Sequence, residues 1–113
     1  MITAADARTW ALRLPEAYEE ETWGHPTFRV RKKMFATLAP DGSTAGVKAS
    51  LEAQQALIAS EPETFSVSDY TGRYGWTTIQ LDRVDSEELR ELIVDAWRQT
   101  APKKLVSAYD AAA

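Results

Sequence analysis

Between positions 23 and 36 the chain gathers Trp23, its single histidine His25, the arginines Arg29 and Arg31, and the lysines Lys32 and Lys33. Aromatic faces beside guanidinium and ammonium groups suit a nucleic acid or another anionic ligand, which needs charge neutralisation and a ring to stack on. The basic set extends to Lys48, Arg73, Lys103 and Lys104, and the rings to Tyr70, Tyr74 and Trp76. Arg29, Arg31, Lys32, Lys33 and Lys48 form a candidate phosphate-contacting surface. Phosphate contacts need only donors on a strand face and in a hairpin turn, whereas reading bases requires insertion into a groove. Arg73 and Tyr74, in a loop flanked by Gly72 and Gly75, form a candidate second wing. Lys103 and Lys104 add backbone contacts or complement the dipole of the preceding helix. The same residues equally describe a solvated cationic face, and Trp23 and Trp76 equally describe sheet packing.

Other chemistries find less support. His25 is a candidate base or ligand, but no Ser-His-Asp arrangement accompanies it and the bland reading is a hydrogen-bonded turn residue. The sequence has no cysteine, which excludes disulfides and thiolate metal sites. No phosphate loop, zinc pattern or nucleophile elbow is present, so an enzyme is not expected and no cofactor is implied. Glu16, Glu19, Glu20 and Glu21 lie close together, in a loop by this reading, and make weak divalent-cation binding conceivable. Their spacing matches no defined metal loop, so no metal ligand is assigned. Seventeen acidic against thirteen basic residues give a net charge of −4 and a pI near 5.0. That balance counts against non-specific nucleic-acid binding, which rests on phosphate neutralisation, although local potential governs docking.

The elements that must carry these residues are legible. At 113 residues, 44% of them hydrophobic, the chain makes a single domain with one core. No apolar run approaches the ~20 residues of a membrane span. The start of the sequence lacks a signal-peptide pattern, which points to the cytoplasm. Thr3 and Asp6 form a capping box for a first helix whose stripe is Ala7, Trp10, Ala11 and Leu14, with Trp10 a core anchor and Pro15 the stop. Strands are predicted over 20–23, 27–31, 34–39 and 44–49, with Lys32-Lys33 a tight turn and 40–43 a second turn. Alternation puts Phe28 and Val30 on one face, and Thr27, Arg29 and Arg31 on the other. Ser50 caps a helix over 51–60 with a weak apolar face of Leu51, Leu57 and Ile58. Strands over 65–67 and 76–81 follow, with 69–75 a loop between them. Asp85 and Glu88 open the clearest helix, striped by Leu89, Leu92, Ile93, Ala96 and Trp97. Pro102 breaks it and starts a new helical turn, where Leu105, Val106 and Tyr109 continue the apolar contacts and 111–113 fray.

The order α-β-β-β-β-α-β-β-α gives an α+β fold: an antiparallel sheet packed by the N- and C-terminal helices, with its other face open. Arg29, Arg31 and Lys48 are expected on or near that open face. In this order the motifs Trp23-Gly24-His25-Pro26-Thr27-Phe28-Arg29-Val30, Lys33-Met34-Phe35-Ala36, Val47-Lys48, Tyr70, Trp76-Thr77-Thr78-Ile79-Gln80-Leu81 and Ala96-Trp97-Arg98-Gln99-Thr100-Ala101-Pro102-Lys103-Lys104-Leu105 resemble the MmcQ/YjbR family over nearly the whole chain. The resemblance implies a bacterial cytoplasmic protein with a fold like that of CyaY, the bacterial frataxin. It also implies DNA binding through a double-wing arrangement. Three functions therefore stand as expectations. The first is double-stranded DNA binding by the basic hairpin and the 70–76 loop. The second is a small-ligand or protein-partner module on the open sheet face, using Trp76, Lys48 and Arg29. The third is frataxin-like weak metal binding through Glu19 to Glu21. Oligomeric state is left open.

Overall fold

The computed structural model describes residues 2–112. Helix α1 spans Ala4–Leu12 and opens on the expected capping box. Thr3 Oγ1 accepts from the Asp6 N–H at 3.2 Å, and the Thr3 N–H donates to the Asp6 carboxylate at 3.0 Å. The helix ends before Pro15 is reached. Arg13 is its cap, and Leu14, restricted by the proline that follows it, bonds back three residues to Ala11. Ala7 and Ala11 are buried, whereas Trp10 is only half-buried, packed at the edge of the core. The core anchor is Trp97 instead.

Strands β1 (Tyr18–Thr22), β2 (His25–Val30), β3 (Lys33–Leu38) and β4 (Thr44–Lys48) form an antiparallel meander. Two of its three hairpin turns differ from the sequence reading. Thr22 faces His25, so Trp23 and Gly24 are the central turn residues, with φ of 54° and 82°. Val30 faces Lys33, so the second turn is Arg31-Lys32, with φ of 50° and 71°, and Lys33 begins β3. Positive φ at both central positions is the type I′ pattern, whose twist matches the strands of a two-residue hairpin. Closure by Val30 and Lys33 takes Arg31 out of the strand alternation. The predicted strand start at Thr27 moves back to His25, so Pro26 lies inside β2, tolerated because β3 pairs with β2 only from Thr27 onward. Glu19, Glu20 and Glu21 lie in β1 rather than in a loop.

Helix α2 (Leu51–Ser60) is capped by Ser50, whose hydroxyl accepts from the Ala53 N–H at 3.0 Å. It leads to β5 (Phe65–Val67), a 3-10 turn at Gly72–Tyr74, and β6 (Trp76–Gln80). The sheet order is β1-β2-β3-β4-β6-β5, antiparallel throughout. Helix α3 (Ser86–Thr100) begins at Asp85, whose carboxylate accepts from the Glu87 and Glu88 N–H groups. Helix α4 (Lys103–Ala112) follows directly after Pro102 and remains helical where fraying was expected, Ala113 lying outside the described residues.

Helices α1 and α3 cover one face of the sheet. Phe28, Val30, Phe35, Leu38, Val47, Ile79, Leu89, Ile93 and Trp97 fill the space between. Trp97 is fully buried; its indole N–H donates to the Pro15 carbonyl at 3.1 Å and its ring packs on Tyr109 at 5.1 Å. One side chain thereby joins α3 to the α1–β1 connection and to α4. The α+β architecture is as expected from the sequence, and the opposite sheet face carries no helix among the described residues.

Candidate ligand-binding face of the sheet

The register fixes what the open face displays. Pairs Thr27–Thr37, Arg29–Met34, Gly46–Thr78 and Lys48–Trp76 alternate with the core-facing Phe28–Ala36, Ala45–Ile79 and Val47–Thr77. Gly46 has a specific task here. A Cβ at that position would lie 2.6 Å from Thr37 Oγ1 and 3.9 Å from the Trp76 ring, so the missing side chain makes room beside both.

Over this floor lies a hollow of about 900 Å³, lined by Trp23, His25, Arg29, Met34, Tyr70 and Trp76 together with Thr22, Thr37 and the 68–71 segment. A volume of this size suits a small organic ligand. A second hollow of about 370 Å³ adjoins it along β3, β4 and β6, sharing His25, Thr37, Ser68 and Asp69. Trp23 and Tyr70 stand out. They are 95% and 97% exposed, and both sit on left-handed backbone, at φ of 54° and 63°. A bulky side chain there costs roughly 1–2 kcal/mol of backbone strain. Burial returns nothing for that strain at Trp23 or Tyr70.

The loop bearing Tyr70 is fastened by its carbonyl groups. Gln54, buried in α2, donates its amide to the Gly72 carbonyl at 2.9 Å and to the Trp76 carbonyl at 2.8 Å. The Lys48 ammonium donates to the Tyr74 carbonyl at 2.7 Å. The Gly75 carbonyl accepts from the Ala49 N–H and the Thr77 hydroxyl. Gly75 itself requires φ of 99°, and a Cβ there would collide with the Ala49 carbonyl. Gln54 was not among the residues singled out from sequence. The signal was available: it falls on the same helical stripe as Leu51, Leu57 and Ile58, where an amide must find buried partners.

The basic residues are distributed unevenly. Arg29 lies on the open face with every nitrogen engaged: Nε pairs with Glu20 at 3.1 Å and donates to Thr27 at 3.3 Å, Nη1 donates to the Lys32 carbonyl, and Nη2 to Thr22. Arg31 pairs with Glu16 instead of standing on the face. The hydrogen bonds from Arg31 hold the Glu16 carboxyl below its ordinary range and raise the guanidinium in return. Lys48 is occupied by the Tyr74 carbonyl. Lys32 and Lys33 are exposed at the hairpin, and Arg73 lies over the Tyr74 ring at 4.9 Å. The Arg31-Lys32 turn and the 69–75 loop leave the same end of the sheet, because β2 and β4 end there, at Val30 and Lys48, and the antiparallel β3 and β6 begin there, at Lys33 and Trp76. Lys103 and Lys104 lie in the first turn of α4, which is fastened to α3.

The acidic run is divided by the β1 pleat. Glu19 pairs with Arg8 of α1 at 2.8 Å, Glu20 with Arg29, and Glu16 with Arg31. Among the described residues no group of three His, Cys, Asp or Glu side chains is placed to hold a metal ion.

Comparison with known proteins agrees with this architecture. The YjbR family model matches residues 12–99. Over 71 residues the chain is 37% identical to the uncharacterized protein Rv2570 of Mycobacterium tuberculosis and to the uncharacterized protein Mb2600 of Mycobacterium bovis. Each match covers 62% of this chain and 55% of the relative, so the chain aligns with about half the length of these curated relatives. The crystal structure of Deinococcus radiodurans protein DR2400, a DUF419 domain, superposes with a TM-score of 0.80 at 23% identity, covering 88% of this chain and 78% of that one. No helix among the described residues is long and apolar enough to cross a membrane.

Proposed function

The chain belongs to the YjbR family, and for this member we propose a binding module that holds a small organic ligand in the hollow on the open sheet face. The observation that carries the proposal is the pair Trp23 and Tyr70, almost fully exposed and held on left-handed backbone at the rim of one hollow. The hairpin accounts for left-handed backbone at position 23 but not for an indole placed there: burial stabilises neither ring, and two exposed aromatics at the rim of one hollow are better explained by what they grip. The role is binding rather than catalysis. The hollow offers one imidazole and one carboxylate, and no nucleophile hydrogen-bonded to a base among the described residues. We assign it to the cytoplasm because the sequence carries no cysteine pair of the kind that stabilises small extracellular domains.

The four indole N–H signals test this directly in a nitrogen-edited NMR spectrum. A mixed fragment set of aromatic, aliphatic and charged compounds should yield ligands that move the Trp23 and Trp76 signals and leave buried Trp97 unmoved. Trp23→Ala and Tyr70→Ala should weaken those ligands at least fivefold with unchanged melting temperature. If no fragment moves Trp23 or Trp76, the face is not a ligand site.

One observation favours a second reading, DNA binding through two wings. The Arg31-Lys32 turn and the Arg73 loop leave the same end of the sheet. Against it stand the net charge of −4 and the carboxylate already on Arg31. Anisotropy of a labelled duplex at two salt concentrations decides it. Binding that falls steeply with salt and is weakened by Arg31→Glu and Lys33→Glu would support the wings. No binding at micromolar protein in low salt would remove them.

A further inference from the structure

We propose that the ligand of the open-face hollow is an organic cation, recognised through a quaternary or alkylated ammonium group. This rests on the reading of the face as a ligand site and goes on to name the ligand's chemistry.

Two independent features point the same way. The first is the lining. Trp23, Tyr70 and Trp76 reach one hollow from three separate segments: the β1–β2 turn, the loop after β5, and the first residue of β6. Aromatic faces are the negative part of the ring quadrupole, so rings assembled around a hollow attract a cation that has little water to lose. Alkylated ammonium groups meet that description, whereas a primary ammonium holds its hydration strongly.

The second feature is charge. Among the residues lining the hollow, Arg29 is the only arginine or lysine, and its charge is met by Glu20 while its remaining donors serve Thr22, Thr27 and the Lys32 carbonyl. Asp69 also lines the hollow and has no ion-pair partner among the described residues. An anion would meet an arginine already neutralised and a carboxylate that repels it. A cation meets three rings and an uncompensated carboxylate. The basic composition of segment 23–36 is therefore misleading about the site: its arginines are met by neighbouring glutamates, Lys32 and Lys33 lie outside the lining of the hollow, and the charge left over in that lining is the negative one on Asp69. The size of the hollow, with Met34 on its floor and the smaller hollow adjoining, leaves space for an apolar body beyond the ammonium head.

Three probes of one shape separate charge from fit: choline, its neutral isostere 3,3-dimethylbutan-1-ol, and the anion 3,3-dimethylbutanoate. Each is titrated at one fixed pH against the intact chain, reading the Trp23 and Trp76 indole signals. Choline should bind about tenfold more tightly than the alcohol, the scale of a partly desolvated cation–π contact. The anion should bind more weakly than the alcohol. Asp69→Asn and Tyr70→Leu should each lower choline affinity several-fold and leave the alcohol unchanged. Both positions are exposed, so the fold survives the changes. Equal affinity for choline and the alcohol, or preference for the anion, overturns the cation assignment while the ligand face stands. If none of the three moves the indole signals, the cation assignment also falls, and the fragment set then judges the face separately.

Discussion

Replacing Gln54 probes the fastening of the Tyr70 loop. Its amide nitrogen makes two hydrogen bonds, at 2.9 and 2.8 Å, to the carbonyls of Gly72 and Trp76. Each carbonyl keeps another donor: Gly75 N–H for the first, Ser68 N–H for the second. Gln54→Leu therefore removes two bonds without leaving a carbonyl wholly unpaired. At about 0.5–1.5 kcal/mol net for each bond the expected loss is about 1–3 kcal/mol, partly offset by the added apolar surface. Against a denaturant slope of about 1–3 kcal/mol per molar urea, the midpoint should fall by about 1 M. Gln54→Glu is more informative. A carboxylate has no proton to donate and would face two carbonyl oxygens, so its pKa in the folded state must rise. A raised pKa means that stability is retained below the unfolded value near 4.3 and lost as pH climbs through the folded one. The Glu variant should match Gln54→Leu near pH 4 and fall well below it at pH 7, while the deficit of the Leu variant stays constant. Urea titrations at both pH values give the answer. A Leu variant within 0.3 kcal/mol of the parent, or a Glu deficit independent of pH, would refute the view that this amide holds the loop.

Two further outcomes follow from the same geometry. Gly75→Ala places a methyl group against the Ala49 carbonyl on left-handed backbone, so it should lower the melting temperature sharply or prevent folding; a shift under about 2 °C would contradict the 72–75 turn. The Glu88 carboxyl is held above its ordinary value, first by partial burial and then by the charges of Glu61, Asp85 and Glu91. Its ionised form thus opposes folding as pH rises through the folded pKa. Glu88→Gln should stabilise the protein at pH 7 by a few tenths of a kcal/mol, an advantage that vanishes near pH 4. Urea midpoints at the two pH values test this, and a pH-independent difference would count against the charge argument.

Local signals in the sequence were sufficient for the elements. Thr3 with Asp6, Ser50, and Asp85 with Glu88 each announce a helix start, because a capping side chain and the N–H groups it serves lie within three residues. The α3 stripe and the Phe28, Val30 alternation disclose which faces are buried, since burial selects apolar residues at the period of the element. The turn at 31–32 was displaced by one residue in the sequence reading. Without glycine, only the pairing of Val30 with Lys33 identifies its centre.

The candidate site was legible as a set of residues but not as an arrangement. Composition alone makes Trp23, His25, Tyr70 and Trp76 conspicuous, and sequence spacing cannot show that they line one hollow, because β4–β6 pairing brings together residues some thirty positions apart. Charge was the part most altered by folding. The basic cluster of segment 23–36 is contiguous in sequence, yet Glu20 reaches Arg29 across one hairpin and Glu16 reaches Arg31 from the α1–β1 connection. Ion pairing depends on distance in space, which the chain order does not encode. The sequence by itself determined the elements, the buried face and the family. Tertiary structure alone decided which charges remain unpaired and which rings stand over the open face, because both are properties of strand register and turn geometry rather than of residue type.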